Sequence, residues 1–206
     1  MADSEKPQLY LITPTQFDFD SFPSTLQRVL DASDIACLRL SLASQDERIV
    51  SKSADLIREI AHERDIPLVI DTHVQLVETL GLDGVHLPDG GRGLRKLRET
   101  MGDDPILGAD CGASRHVGMS AGEAGADYVS FGPVAASVMG SGDIAEEELF
   151  AWWSDMIEVP VVAEGGLTPD LVAKLAPVTD FFAFGAEVWE QDDPIAALTH
   201  LVAPLR

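Results

Sequence analysis

Two strand ends rich in small residues stand out in this chain, Val161-Val162-Ala163-Glu164-Gly165-Gly166 and, one helix later, Phe182-Ala183-Phe184-Gly185-Ala186. A buried strand that opens into glycine leaves backbone N–H groups uncovered at its carboxyl end, where an anionic phosphate can approach without meeting a side chain. Gly165, Gly166, Gly185 and Ala186 are therefore candidate phosphate ligands. Glu164, directly before the glycine pair, would lie beside such a phosphate. Like charges repel, so it should point to another part of the ligand or act as a base.

Other residues able to do chemistry close short apolar runs in the same way. Asp71 and Asp110 could converge with Glu164 to hold a divalent metal, to receive a cationic or amine-bearing ligand, or simply to fill a polar mouth. No tight metal-ligand spacing selects the first of these. Arg39 is embedded in Cys37-Leu38-Arg39-Leu40, and a buried guanidinium needs an anionic partner. That partner is either an anionic group of a ligand or Asp71 on the next strand. His86 lies inside a strand and reads as a core histidine bonded to a neighbour, whereas His73 and His116 could face the mouth as proton-transfer groups. Cys37 and Cys111 lack metal-ligand spacing and read as small buried residues, a disulfide being unexpected in a cytoplasmic chain. The segment Gly132 to Gly142, which contains Ser137, is small and flexible in composition. It reads as a lid or as an ordinary mobile loop.

The elements that must position these residues follow from an alternation. Short runs rich in valine, isoleucine and leucine alternate with longer amphipathic stretches, as in strands covered on both faces by crossover helices. Eight strands are expected: Gln8-Ile12, Ala36-Ser41, Leu68-Asp71, Gly84-Leu87, Ile106-Ala109, Tyr128-Phe131, Val161-Ala163 and Phe181-Phe184. Helices are expected near Pro23-Leu30, Asp46-Arg64, Val74-Leu80, Gly93-Met101, Ser114-Ala124, Ala145-Met156, Pro169-Leu175 and Pro194-Val202. Thr168-Pro169-Asp170 supplies an N-cap followed by proline at the first helical position. Gly81, Gly102 and Gly125 sit where helices should end. Strict alternation leaves an open doubly wound sheet or a barrel, and eight units favour a single-domain α/β (β/α)₈ TIM barrel over residues 8–206 behind a flexible tail, residues 1–7. In a barrel, chemistry belongs at the carboxyl ends of the strands. Those ends carry Thr13, Arg39 with Ser41, Asp71, His86 with Asp89, Asp110, Ser130, Glu164, and Gly185 with Glu187.

Bulk properties narrow the partners. The chain has 206 residues and a formal net charge of -21, which disfavours nucleic acid because phosphate backbones select basic stripes. Beyond Glu99 the basic residues are Arg115, Lys174 and Arg206, so a phosphate bound there would rely on backbone amides. The acidity itself reads as a strongly solvated surface. No apolar run approaches the roughly 18 residues that span a bilayer, and the polar start of the chain is unlike a secretory signal. A cytoplasmic protein with no membrane partner is expected. The Trp152-Trp153 pair reads as core or as part of a homodimer interface.

The chain resembles the thiamin phosphate synthase superfamily, which includes the thiazole tautomerase (TenI) branch. The likeness runs from Leu9-Tyr10-Leu11-Ile12-Thr13 through Asp83-Gly84-Val85-His86-Leu87-Pro88 and Ile106-Leu107-Gly108. It continues through Gly125-Ala126-Asp127-Tyr128-Val129-Ser130-Phe131-Gly132-Pro133 to Val159-Pro160-Val161-Val162-Ala163-Glu164-Gly165-Gly166-Leu167-Thr168-Pro169. The resemblance implies a (β/α)₈ barrel and a small phosphorylated heterocycle, such as thiazole phosphate, as ligand. It also locates departures at the catalytic positions. Cys37, Arg39 and Ser41 stand where synthases carry Gln-x-Arg-x-Lys, and Asp71-Thr72 stands for an Asn-Asp pair. Asp89-Gly90-Gly91 replaces the Gln-Glu-Asp that helps hold magnesium, and Ser137-Val138-Met139-Gly140 replaces the Thr-x-Thr-Lys of the lid. The tautomerase branch shares Leu87-Pro88-Asp89-Gly90, while Gly112 takes the place of its histidine. Magnesium is implied only if synthase chemistry is retained. Three readings stay open: a diverged enzyme of thiamin biosynthesis with Glu164, Asp110 or Asp71 handling protons, a non-catalytic or regulatory phosphate-binding barrel, and an enzyme of another small phosphate ester.

Overall fold

A computed structural model describes residues 6–135 and 143–206. Eight parallel strands, β1 (Gln8–Ile12), β2 (Ile35–Leu40), β3 (Leu68–Asp71), β4 (Gly84–Leu87), β5 (Ile106–Asp110), β6 (Tyr128–Phe131), β7 (Val161–Glu164) and β8 (Phe181–Phe184), close on themselves in sequence order. Outside them lie α1 (Phe22–Ala32), α2 (Glu47–His62), α3 (Gln75–Leu80), α4 (Leu94–Met101), α5 (Arg115–Glu123), α6 (Glu147–Met156), α7 (Pro169–Leu175), α8 (Ala186–Trp189) and α9 (Pro194–Leu201). The expected (β/α)₈ barrel is the fold. Among the described residues, no helix is long and apolar enough to cross a membrane.

Local chemistry starts the helices where the sequence places them. The Asp46 carboxylate accepts from the Arg48 and Ile49 amides, Thr168 Oγ1 from Leu171, and Asp193 from Ile195 and Ala196, satisfying donors that a helix start leaves free. Prolines 169 and 194 follow two of these caps, in the first turn, where a missing N–H costs nothing. The strand positions are pinned by a recurring device at the other end of the barrel. Asp83, Asp127 and Asp180 each precede an even-numbered strand, and their Oδ2 atoms accept from the Leu68, Leu107 and Val161 amides at 2.7, 2.7 and 2.8 Å. Each carboxylate thus ties the start of one strand to its neighbour and fixes their register.

Side chains alternate between the helical layer and the barrel interior. The interior layer contains Tyr10, Cys37, Val69, Tyr128, Val162 and Ala183. Tyr128 Oη lies 2.8 Å from Tyr10 Oη and 2.9 Å from His86 Nδ1, so buried polar tips satisfy one another. The Tyr128 ring fits because residue 108 is glycine: a Cβ there would collide with Cζ and Oη of the ring. Two residues further along β2, β3, β6 and β7, the same alternation turns Arg39, Asp71, Ser130 and Glu164 inward.

The differences from expectation are small and local. Strand β2 begins at Ile35 and ends at Leu40, leaving Ser41 in the following loop, and β5 and β7 extend to Asp110 and Glu164. Helix α8 was not anticipated, because four residues are too few to show a helical period. Trp153 is buried and donates from Nε1 to the Val159 carbonyl at 2.8 Å, which makes it core. Trp152 is half-buried beneath the Arg115 guanidinium.

Candidate functional site

Closure of the barrel brings Arg39, Asp71 and Glu164 together from β2, β3 and β7. Arg39 Nη1 lies 3.1 Å from Glu164 Oε2, and Nε lies 3.7 Å from Asp71 Oδ1. Both contacts are ion pairs without hydrogen-bond geometry, since Arg39 Nε, Asp71 Oδ1 and Glu164 Oε2 have no hydrogen-bond partner, and neither does Ser130 Oγ. Of the two partners open to Arg39, Asp71 is therefore present, and Glu164 joins it. Burial works against the guanidinium charge, but Glu164 and Asp71 outweigh it and raise the Arg39 pKa, so the group stays charged.

The carboxyls respond differently to this environment. Burial raises Asp71 above the ordinary carboxylate range, and Glu164 adds to the rise while Arg39 and His73 oppose it. Asp110 is also raised, chiefly by burial, although its Oδ1 accepts from the Gly112 amide at 2.9 Å. These two groups can hold a proton further up the pH scale than exposed carboxylates do. His86 is buried at 2% exposure and held neutral, its pKa pushed well down by burial and then by Arg39. It is the hydrogen-bonded core histidine that its place inside a strand suggests. His73 stays in the loop after β3, its Nδ1 3.0 Å from the Asp71 carbonyl, whereas His116 is exposed on α5.

Beside the acidic cluster, a cavity of about 570 Å³ is lined by residues that include Thr13, Ser41, Glu164, Gly166, Gly185 and Glu187. Gly165 and Gly166, in the turn after β7, line this cavity with φ of 80° and 81°, a conformation other residues adopt at a cost. The amides are not bare. Gly166 and Leu167 donate to Glu187 Oε1 at 2.6 and 3.1 Å, and Gly185 donates to Glu187 Oε2 at 3.0 Å. Ala186, the first residue of α8, is exposed at the cavity edge. Ser137 lies outside the described residues, as do all of residues 136–142 of the segment expected to form a lid.

Sequence reasoning placed Glu187 at a strand end without giving it a role. The signal was its position two residues past Gly185, but the partner amides at Gly166 and Leu167 are about twenty residues away and appear only after β7 and β8 pair. Tyr10 and Tyr128, which seat the acidic cluster from below, were missed because aromatics in short strands read as ordinary core.

Magnesium does not fit the residues present. The positions corresponding to the synthase metal carboxylates are Thr72, exposed and with φ of 60°, and Gly91, which has no side chain. Asp89 is paired with Arg92 at 3.7 Å on the surface, and the inward carboxylates already face a guanidinium. Among the described residues, no group of three or more histidine, cysteine, aspartate or glutamate side chains is arranged to hold a metal.

The sequence matches the family described as thiamine monophosphate synthase over residues 9–187. It is 37% identical over 194 residues to a thiamine-phosphate synthase of Rhodospirillum centenum, covering 93% of this chain and 94% of that one. A thiamine-phosphate synthase of Erythrobacter litoralis is 36% identical over 203 residues, with 95% of each chain covered. Among solved structures, thiamine phosphate pyrophosphorylase from Pyrococcus furiosus superimposes with a TM-score of 0.83 at 21% identity, covering 96% of this chain and 95% of that chain.

Proposed function

The chain belongs to the thiamine monophosphate synthase family, and from that premise we propose that it is a diverged member binding a thiazole phosphate or similar phosphorylated heterocycle of thiamin biosynthesis. The observation that carries this reading is the placement of two unlike surfaces at one barrel mouth. The β7 and β8 turns offer backbone amides suited to a phosphate, and Asp71, Glu164 and Ser130 beside them retain buried polar atoms without hydrogen-bond partners. An anionic ligand end would take the amides, while nitrogen-bearing heterocycle atoms would take the acids.

In this reading Gly165, Gly166, Gly185 and Ala186 hold the phosphate, and Ser137 contributes to ligand binding. Arg39 orients Glu164 and Asp71 while contacting an anionic group of the ligand. Proton handling falls to Asp110 and Asp71, whose raised pKa values let them donate as well as accept, with Glu164 as the base nearest the glycine turn. No step is assigned to a metal. The same reading places the protein in the cytoplasm as a homodimer, and its acidic composition disfavours nucleic acid and anionic membranes as partners.

Thr72 and Gly91 favour a second reading, a barrel that binds the ligand without turning it over, because pyrophosphate departure would lack the carboxylates that position magnesium. The test is to mix purified protein with aminopyrimidine pyrophosphate, thiazole phosphate or its carboxylate, and magnesium, and to measure thiamin phosphate. Turnover at ordinary enzyme rates supports the enzyme and rejects the non-catalytic barrel. Thermal stabilisation by thiazole phosphate without turnover supports the second reading, and absence of both rejects the ligand. Turnover of another small phosphate ester instead would move the activity to that substrate.

A further inference from the structure

Two of the amides proposed to receive phosphate, those of Gly166 and Gly185, already have an anion on them. Glu187 places Oε1 on the Gly166 and Leu167 N–H groups and Oε2 on that of Gly185, at 2.6, 3.1 and 3.0 Å. Both carboxylate oxygens are used, and together they bridge the ends of β7 and β8 much as two oxygens of a phosphate would. Such contacts are charge-assisted and stronger than neutral ones. Among the described residues, the cavity in front of them is lined by Glu164, Glu187 and Glu190 and by no lysine or arginine. A phosphate entering here therefore meets no side-chain cation and must take its amides from a carboxylate.

We propose that Glu187 is an internal competitor for the anion cup and sets how tightly this protein holds a phosphorylated ligand. The inference rests on the proposed phosphate reading of that cup. Glu187 is only partly buried, so its carboxylate can leave the cup for water by side-chain rotation, without unfolding α8. Ligand binding then includes the loss of three carboxylate contacts. The cup selects ligands whose phosphate, together with contacts elsewhere in the mouth, outbids the resident side chain. A free phosphate ion, lacking those other contacts, should bind poorly.

The alternative is that Glu187 merely braces the glycine turn and the short α8. The two roles predict opposite signs. A brace, once removed, loosens the turn and weakens phosphate binding. A competitor, once removed, strengthens it.

The experiment is calorimetric titration of inorganic phosphate into the full-length protein, its Glu187→Ala variant and its Glu187→Gln variant. Amide chemical shifts of Gly166, Leu167 and Gly185 locate the binding. The Ala variant should bind phosphate at least ten-fold more tightly than the unaltered chain, with those three amides shifting. The Gln variant, which keeps one acceptor oxygen and loses the charge, should gain a smaller factor. It carries the test if the Ala variant does not fold. Equal or weaker phosphate binding by the folded variants overturns the competitor while leaving the phosphate cup standing. Failure of every form to bind phosphate overturns both.

Discussion

Glu164, at the end of β7, reaches across the barrel interior to place Oε2 3.1 Å from Nη1 of Arg39 on β2, a strand that is not its neighbour. Asp71 approaches the same guanidinium from β3 at 3.7 Å. One buried cation thus holds two carboxylates that would otherwise repel each other, and its removal should cost more than removal of either acid. Arg39→Met is expected to lower stability by about 3–5 kcal/mol at neutral pH, the range for breaking a buried pair and stranding its charge. Glu164→Gln, which leaves Arg39 with Asp71, should cost less. Urea denaturation of both variants checks the order. Part of the Arg39→Met loss should return as the pH falls, because the stranded acids can then take up protons.

Asp71 and Asp110 give a pH dependence of definite sign. Their folded pKa values lie above the ordinary aspartate value of 3.8, so over the interval above it the folded chain keeps protons that the unfolded chain has lost. Their contribution to stability is full below the unfolded pKa and is lost as pH rises through the folded value. Asp18 and Asp31 are shifted down and act in the opposite sense, losing their contribution as pH falls. Asp71→Asn should therefore be judged by slope. Relative to the unaltered chain, its unfolding free energy should climb with pH from about 4 upward before levelling. A parallel pair of curves would exclude the raised Asp71.

Much of this arrangement can be traced in the sequence, and what cannot is informative. Strands covered on both faces write themselves as apolar runs, so all eight appear with ends shifted by at most a residue. The Arg39–Asp71 pair was legible because strands two and three are neighbours in a barrel of sequential parallel strands. Glu164 as a second partner was not, since only closure carries β7 to within reach of β2. The hold of Glu187 on Gly166 was hidden for a similar reason: its oxygens reach the next strand's turn, which no local pattern records.

Gly108 and Tyr128 offer a test of interior packing. The Tyr128 ring occupies the space a residue-108 side chain would fill. Gly108→Ala should therefore overpack the barrel, at a cost of about 1–3 kcal/mol. Tyr128→Phe keeps the ring but strips the hydroxyl that lies 2.8 Å from Tyr10 Oη and 2.9 Å from His86 Nδ1, and leaving those atoms unpaired should cost about 1–3 kcal/mol. Near-UV circular dichroism separates the two. The alanine variant should lose the tyrosine signal through disordered packing, whereas the phenylalanine variant should retain an ordered spectrum at reduced stability.

The two cysteines allow a check on burial that requires no mutation. Both are buried, and burial pushes each thiol up to about 12, so neither supplies appreciable thiolate at neutral pH. Against this, Cys111 follows Asp110 at the barrel mouth, the one place where a reactive thiol would matter to chemistry. Asp110 raises the Cys111 pKa further, because a neighbouring negative charge disfavours the thiolate. Among the described residues no base is hydrogen-bonded to it: its Sγ donates to the Ala109 carbonyl, at 3.5 Å. A disulfide-exchange reagent should accordingly label neither thiol in the native protein over minutes and label both at once after denaturation. Rapid native labelling at Cys111 would require the mouth to open far enough to expose the end of β5, and would make nucleophilic chemistry a candidate for this site.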